Sequence, residues 1–463
     1  MSGSSVHIML SNEYYKASST SHFNCHYQRT IMLKLNSFTV TDEKTHPTQV
    51  MRRRATLSHK YELFYRDPLN PVQAQDAWIT DASGRKYLDA YNNVVSVGHG
   101  NRRVIDAMTN QAKMICTHTR YVNDELCRLS ERLTGKNEGN NEWRSIFTCS
   151  GSEANDLAMR VAMQFTGGNG FIVTDHAYHG LTALTQAITT SMTGYLELSN
   201  RLGLEIATIP SPVGKNEGNS FIDGLQTAIN DMHSRGIRLA AGIFDSFFTS
   251  DGLGLTPKGF LDDAVRLLHD NGALYIADEV QPGFARSGSY FWGFQTHGAD
   301  PDIITMGKPM GNGYPMAAIM FKALLDDYIM DSYFNTFGGN NVAVAVGHAV
   351  LDEIEERNLL ENAHIQGEKI LSELEQLKES CVNISSVRGS GMSIAVDVVT
   401  NDGAPNADGA IRIVEAMKQR GVIISTSGVS GNTLKIRPLL IYTNEDTNFL
   451  IDQAQSAVRT VFS

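Results

Sequence analysis

From about residue 50 onward, short apolar runs alternate with stretches whose apolar residues recur every three or four positions, the order of buried strands and amphipathic helices. The runs SIFTC (145–149), FIVT (171–174), LEIATI (204–209), LAAGIF (239–244), LYIA (274–277) and DIITM (302–306) are short and apolar. Strands buried on both faces read this way, so an α/β fold is expected, with a large, mostly parallel sheet covered by helices. Beyond about residue 345 the pattern changes to long helices, then to strands at SIAVDVV, VIIST and TLKIR and a last amphipathic helix. This predicts a second, smaller α/β domain that part of the N-terminal region joins. The expected divisions are an arm or extension over 1–50, an N-terminal part of the small domain over 51–105, a large domain over 106–345 and the rest of the small domain over 346–463. The arm is rich in Ser, Thr, Asn and His and shows no clear period.

Composition narrows the function classes. A chain of 463 residues, 42% of them hydrophobic, can bury a large core. With 39 Lys and Arg against 50 Asp and Glu its formal charge is -11, which argues against a nucleic-acid surface. The cysteines Cys25, Cys116, Cys127, Cys149 and Cys381 are scattered and lack Cys-x-x-Cys spacing, so neither a disulfide framework nor a zinc site is expected. A reducing cytoplasm fits them. No apolar run reaches the roughly 18 residues of a membrane span, and the N-terminus lacks the basic-then-apolar order of a secretory signal. Glu13, Asp42 and Glu43 argue against a transit peptide. The expectation is a cytoplasmic protein that binds neither nucleic acid nor membrane.

Three stretches carry candidate chemistry. In TCSGSEANDLAMRVAM (148–163) and the Phe165 beyond it, Ala154, Leu157, Ala158, Val161, Ala162 and Phe165 follow helical spacing, so a helix should start just after Ser150-Gly151-Ser152. A helix N-terminus with small hydroxyl side chains can hold a phosphate, though Ser150 or Ser152 can equally be a plain N-cap with Glu153 in the first turn. In LYIADEVQPGFARSG (274–288) an apolar run delivers Asp278 and Glu279 to a strand end, where ligands of open α/β sheets sit. A carboxylate there can hold a metal, act as a base, pair with a protonated ring nitrogen, or cap a helix. In IITMGKPMGNGYP (303–315) the Gly-Lys pair fails the Walker pattern, because Asp302 and Pro309 stand where Gly and Ser or Thr are required. That leaves Lys308 at the end of a buried strand, among Gly307, Pro309, Gly311 and Gly313.

Together the three supply what pyridoxal phosphate requires: a lysine for a Schiff base, an aspartate that keeps the pyridine nitrogen protonated, and a phosphate cup. Lys308 is the expected Schiff-base lysine.

The motifs SGSEAND, AYHG, ADEVQPGFARSG, TMGKPMGNGYP and TFGGNN, in this order, resemble the class III aminotransferases of pyridoxal-phosphate fold type I. The resemblance runs from about Arg52 to Ser463. It implies that Lys308, Asp278 and Tyr178 are catalytic, and that Gly151 and Ser152, with Ser150 of the same turn, bind phosphate. Tyr178 would stack on one ring face with His179 beside it, Val280 would pack on the other, and Gln281 would reach the phenolic oxygen. Thr336 would reach the phosphate site of a neighbouring subunit, which implies a homodimer or a larger assembly such as a tetramer. Tyr65, Asn93, Lys435 and Arg437 are the expected substrate-binding residues.

One departure bears on the substrate. Many family members hold the substrate carboxylate with an Arg in R-x-x-P-P-L and balance it with a Glu in E-P-x-x-x-E. Here those stretches read LKIRPLL and DSFFTS, with Lys435 at the Arg position and Ser250 at the Glu position. A lysine lacks the two-pronged guanidinium fork. Arg437 shares the strand face by the two-residue period and is a candidate substitute; alternatively both residues only line a solvated strand. YNNVVSVGH, HTRYVND and STSGVSGNTLKIRPLL look closest to the branch containing the ethanolamine-phosphate phospholyases, although the family's GHCHP and GFGR read GHGNR and GFAR here. The expected function is therefore amino-group transfer from an amine or ω-amino donor to a keto acid or aldehyde. Phosphate elimination from a small amino-phosphate is the alternative, and a non-catalytic chain that keeps the cofactor as a structural ligand is the third reading.

Overall fold

Six of the apolar runs form the parallel part of a seven-stranded sheet. In spatial order its strands are Trp143–Thr148, Ala317–Lys322, Ile303–Met306, Leu274–Asp278, Leu239–Asp245, Gly170–Thr174 and Glu205–Ile209. Ala317–Lys322 is antiparallel to both its neighbours; the other pairings are parallel. The chain is seen here as a computed structural model that describes residues 37–38, 47–58, 60–137, 142–213, 218–255, 259–329 and 332–462. These belong to one compact unit, Leu33–Ser463.

The strand Ala317–Lys322 was not expected. Its sequence AAIMFK is uniformly buried and rich in Ala and Met, good helix formers, so neither alternation nor propensity marks it as a strand. Pairing with an edge strand on one side and a parallel strand on the other overrides that propensity. The helix Gly151–Thr166 packs on the sheet through Ala154, Leu157, Ala158, Val161 and Ala162, the stripe its spacing predicts, while Phe165 is half-buried. It starts at Gly151 rather than after Ser152, because Ser150 adopts the extended cap conformation and accepts a hydrogen bond from Glu153 N.

Both ends of the described chain meet in the smaller sheets. Pro71–Gln75, Trp78–Asp81 and Lys86–Asp89 form an antiparallel meander that Val422–Ile423 joins in parallel. Ile384–Ser390, Ser393–Val398, Thr433–Ile436 and Ser425–Ser427 form a second four-stranded sheet. The expected single strand VIIST is thus two strands in different sheets. The break falls at Ile424, whose carbonyl accepts the Tyr65 hydroxyl at 3.0 Å.

The expected divisions at 105/106 and 345/346 fall inside the helices Arg102–Met114 and Asn341–Glu356. Of the expected arm, only 37–38 and 47–50 lie among the described residues: Ser37–Phe38 pairs with Leu63–Phe64, and 47–50 begin the helix Pro47–Thr56. Cys116, Cys127, Cys149 and Cys381 are free thiols, and Cys25 lies outside the described residues. Among the described residues no helix is long and apolar enough to cross a membrane.

Candidate active site

The C-terminal ends of the parallel strands open into a cavity of about 190 Å³ lined by Gly151, Ser152, Asn155, Tyr178, His179, Gly180, Asp245, Asp278, Val280, Gln281 and Lys308. Ligands of open α/β sheets bind at this edge, because strand-to-helix turns carry polar groups there above an apolar core. Asp278 and Asp245 end neighbouring strands in register.

Asp278 is 4% exposed and well supplied with donors. Its Oδ2 accepts from Asn155 Nδ2 at 2.8 Å and pairs with His179 Nδ1 at 2.8 Å, and its Oδ1 accepts from Val280 N at 3.1 Å. Asn155 is itself fixed, donating to the His179 carbonyl at 2.8 Å and accepting from Thr305 Oγ1 at 2.6 Å. Three of the roughly four acceptor positions of a carboxylate are used. The fourth is open.

Lys308 begins the short helical turn Lys308–Gly311, one residue beyond the strand Ile303–Met306. Its half-buried amine pairs with no carboxylate among the described residues. Burial lowers its pKa, and Asp278 and Asp245 oppose that shift. Asn312 anchors the turn by accepting from Val97 N at 3.1 Å and donating to the Gly98 carbonyl at 2.9 Å. The chain around Asn93 is thereby held beside the cavity.

Opposite Lys308 stands the N-terminus of Gly151–Thr166. The first-turn N–H groups of Gly151 and Ser152 have no acceptor within the helix, and the helix dipole adds positive potential. A Cβ at Gly151 would lie 2.8 Å from Val280 Cγ1, and one at Gly307 would lie 3.3 Å from Gly151 Cα. Glycine at 307 therefore lets the two backbones meet, and glycine at 151 leaves room for the Val280 side chain. Ser152 Oγ accepts from Leu181 N at 3.2 Å, whereas Ser150 is exposed, caps the helix and does not line the cavity.

Gln281 Oε1 accepts from Asn93 Nδ2 at 3.1 Å and from Lys435 Nζ at 3.3 Å. Asn93 and Lys435 are thus brought to the cavity through Gln281. Lys435 is half-buried, and its pKa falls to about 7, through burial first and then the charges of Arg437 and Lys308. Arg437 and Tyr65 behave differently. Arg437 is 1% exposed and donates from Nη1 to the carbonyls of Ile394 and Ile436, each at 2.9 Å, while its Nε has no hydrogen-bond partner. Tyr65 is buried, with its hydroxyl on the Ile424 carbonyl, and it does not line the cavity. Neither lines this pocket, and with Arg437 buried and Lys435 half-buried the two cations do not merely line a solvated strand. Thr336 is exposed and does not line the cavity of its own chain. Ser250 is half-buried, its carbonyl accepting from Gly428 N at 3.1 Å.

Sequence reasoning missed Asn155, Asp245 and Thr305. Asp245 had a signal: it ends LAAGIFD as Asp278 ends LYIAD. Asn155 lies three residues after Ser152 and so shares its helix face. Thr305 had no signal, since a hydroxyl inside an apolar strand only gains meaning from what lies across from it.

Pyridoxal phosphate fits these residues. The cavity offers an amine without a carboxylate partner, a carboxylate with one acceptor position open, and helix N–H groups at a glycine where a side chain would collide. His179 Nε2, buried and without a hydrogen-bond partner, adds a further polar atom at the site.

The comparisons with known proteins agree. The family model "Aminotransferase class-III" matches residues 64–458. The chain is 36% identical to the Arabidopsis thaliana protein "Alanine--glyoxylate aminotransferase 2 homolog 2, mitochondrial", over 87% of this chain and 85% of that one. It is 32% identical to the Caenorhabditis elegans "Ethanolamine-phosphate phospho-lyase homolog 1", over 84% and 89%. A solved phospholyase from Arthrobacter, in complex with phosphoethanolamine, superimposes with a TM-score of 0.85 at 37% identity, over 89% of this chain and 99% of that one. The chain belongs to the class III aminotransferase family and is a pyridoxal-phosphate-dependent aminotransferase by that membership.

Proposed function

We propose that the protein moves an amino group from a primary amine or ω-amino donor to a keto acid or aldehyde acceptor, with Lys308 as the Schiff-base lysine. The observation that carries this reading is that the amine of Lys308 and the open acceptor position of Asp278 belong to one cavity. Pyridoxal phosphate, when bound, supplies an electrophilic carbon for the donor amine and a pyridine ring that withdraws electrons. Gly151 and Ser152 would hold its phosphate by their N–H groups, and Tyr178 and Val280 would cover the ring faces. Asp278 would receive the ring N–H, its geometry set by Asn155 and His179. Gln281, whose oxygen is taken by Asn93 and Lys435, would turn its amide N–H groups to the phenolic oxygen. Lys308 would accept the proton from the substrate carbon beside the amine and return it.

A second reading has its own support. Lys435 stands where an Arg clamps a carboxylate in many relatives, and the Arthrobacter neighbour is a phospholyase in complex with phosphoethanolamine. In that reading the same proton removal expels phosphate from the adjacent carbon, and water completes the conversion to phosphate, ammonia and an aldehyde. Incubation with phosphoethanolamine, and separately with an amine panel plus pyruvate, separates the two by phosphate release and alanine formation. Phosphate release without alanine would replace the first reading by the second. A yellow protein that does neither would leave the cofactor a structural ligand.

We also infer a homodimer. The segments around His118–Val122 and Phe334–Phe337 meet in one exposed apolar patch, with the His118 ring stacked 5.0 Å from Tyr121 and edge-on to Phe334 at 5.6 Å. Val122 is 97% and Phe337 70% exposed. An exposed patch of this kind supports an interface, and Thr336, exposed in the segment after Phe334, would there reach a neighbouring site. For location we propose the cytoplasm, supported by the free thiols; cell fractionation that finds the protein inside organelles would overturn this.

A further inference from the structure

Lys435, which reaches the cavity through Gln281, feels the positive charges of Lys308, Arg437 and Arg286, although neither guanidinium lines the cavity. Three of these four cations have only neutral partners. Lys435 donates to Gln281 Oε1, Arg437 to the carbonyls of Ile394 and Ile436, and Arg286 to the carbonyls of Met392 and Pro438 and to Ser96 Oγ. Arg286 and Arg437 are each 1% exposed, and no carboxylate among the described residues is ion-paired with either. Guanidiniums keep their charge even when buried, so among Lys435, Arg437 and Arg286 the member able to shed charge at modest cost is Lys435.

The charged groups facing Lys435 come from four elements. Arg437 lies two residues on along its strand, Lys308 on the turn after Ile303–Met306, Arg286 on the segment after Leu274–Asp278, and Asp245 at the end of Leu239–Asp245. Of these, Asp245 alone favours a proton on Lys435. An arginine at this position would be charged at any working pH; the lysine that replaces it here is not bound to be.

We propose that Lys435 takes up a proton from solvent when the anionic end of a substrate docks beside it, so that anion binding at this site is proton-linked. This rests on the reading that an anionic group of the substrate or acceptor docks at Lys435. Before docking, the amine sits among like charges with a single neutral acceptor, and the uncharged form is favoured. An anion reverses the sign of the local field, a new N–H bond forms on Nζ, and the ammonium pairs with the ligand. Burial first and the Arg437 and Arg286 guanidiniums lower the Lys435 pKa from its ordinary value toward neutrality. Above that lowered pKa, anion binding must draw a proton from the medium and weakens as protons become scarce. The dissociation constant should then rise by up to about tenfold per pH unit, the limit for one linked proton.

The test uses holoenzyme, whose phosphate cup is filled by its cofactor, with sulfate as the probe because sulfate does not titrate near neutrality. Calorimetric titration at pH 8 in two buffers of different ionisation enthalpy reads the protons exchanged. Wild type should take up about one proton per sulfate bound, while Lys435→Arg should bind sulfate with no buffer-dependent heat and a dissociation constant that is flat from pH 7 to 9. Cofactor absorbance checks that the variant is loaded. Sulfate binding to wild type without proton uptake, or equal uptake by wild type and Lys435→Arg, overturns the linkage and leaves the anion site standing. No sulfate binding to wild type overturns both. Should Lys435→Arg fail to fold, the wild-type buffer dependence and pH slope decide alone.

Discussion

Asn155 Nδ2 lies 2.8 Å from Asp278 Oδ2, joining the first turns of a helix to the end of a strand 123 residues later. The bond fixes the direction in which the open acceptor position of Asp278 points. Asn155→Ala should remove one charge-assisted hydrogen bond, worth about 1.5–3 kcal/mol, and lower kcat/KM roughly tenfold to a hundredfold. The absorbance of the bound cofactor should shift with it. Unchanged kinetics and spectrum would mean that His179 and the Val280 N–H suffice to orient the carboxylate.

Lys308→Ala should abolish turnover and remove the absorbance of the lysine-linked cofactor. The fold should survive, because the side chain lines a cavity and packs no core, so far-ultraviolet circular dichroism should match wild type. Full activity in the variant would end the assignment of Lys308.

Assembly is testable apart from chemistry. The patch that carries Thr336 should be covered by a second copy, and the active species in sedimentation should be at least a dimer. Thr336→Ala should weaken cofactor retention, and a fully active monomer would contradict the shared site.

Lys435 and Arg437 should separate cleanly. Lys435→Ala should lower kcat/KM for an anionic substrate or keto-acid acceptor by about tenfold to a hundredfold more than for a neutral amine. Arg437→Ala leaves two buried carbonyls without their donor, at about 1–3 kcal/mol each, so its first effect should be a lower Tm. An Arg437→Ala protein of normal Tm that fails only with anionic substrates would place that side chain back in the pocket.

A pH effect on stability follows from Asp251. Its buried carboxyl touches Ser211 Oγ, and that hydroxyl, with one hydrogen to give, also reaches Asp175 Oδ1 at 2.5 Å. One of the two carboxyls must therefore hold a proton if both contacts are hydrogen bonds. Burial pushes Asp251 up to about 7 from an ordinary 3.8. Between those values the folded chain binds more protons than the unfolded one, so this group's contribution to stability falls as pH rises through the window and is level above it. Urea denaturation from pH 5 to 8 should show a smaller decline for Asp251→Asn than for wild type; equal declines would place the titration elsewhere.

What the sequence determined by itself was local. The six parallel strands were legible because burial on both faces leaves uninterrupted apolar runs, and the helix at Gly151 because its stripe repeats every three or four residues. Lys308 and Asp278 were legible because each ends such a run, where the backbone must leave the core and a polar side chain can meet a ligand. Tertiary structure decided whatever depends on a partner distant in sequence. The Thr305–Asn155–Asp278 chain of hydrogen bonds, the in-register Asp245 and the antiparallel strand Ala317–Lys322 exist only once strands and helix are packed. Lys435 and Arg437 show the limit most directly. Their two-residue spacing promised a common face, but the nearest available acceptors differ: a side-chain amide at the cavity for one, two buried backbone carbonyls for the other. Spacing along a strand sets direction, while the function of a cation is set by what lies within hydrogen-bond reach.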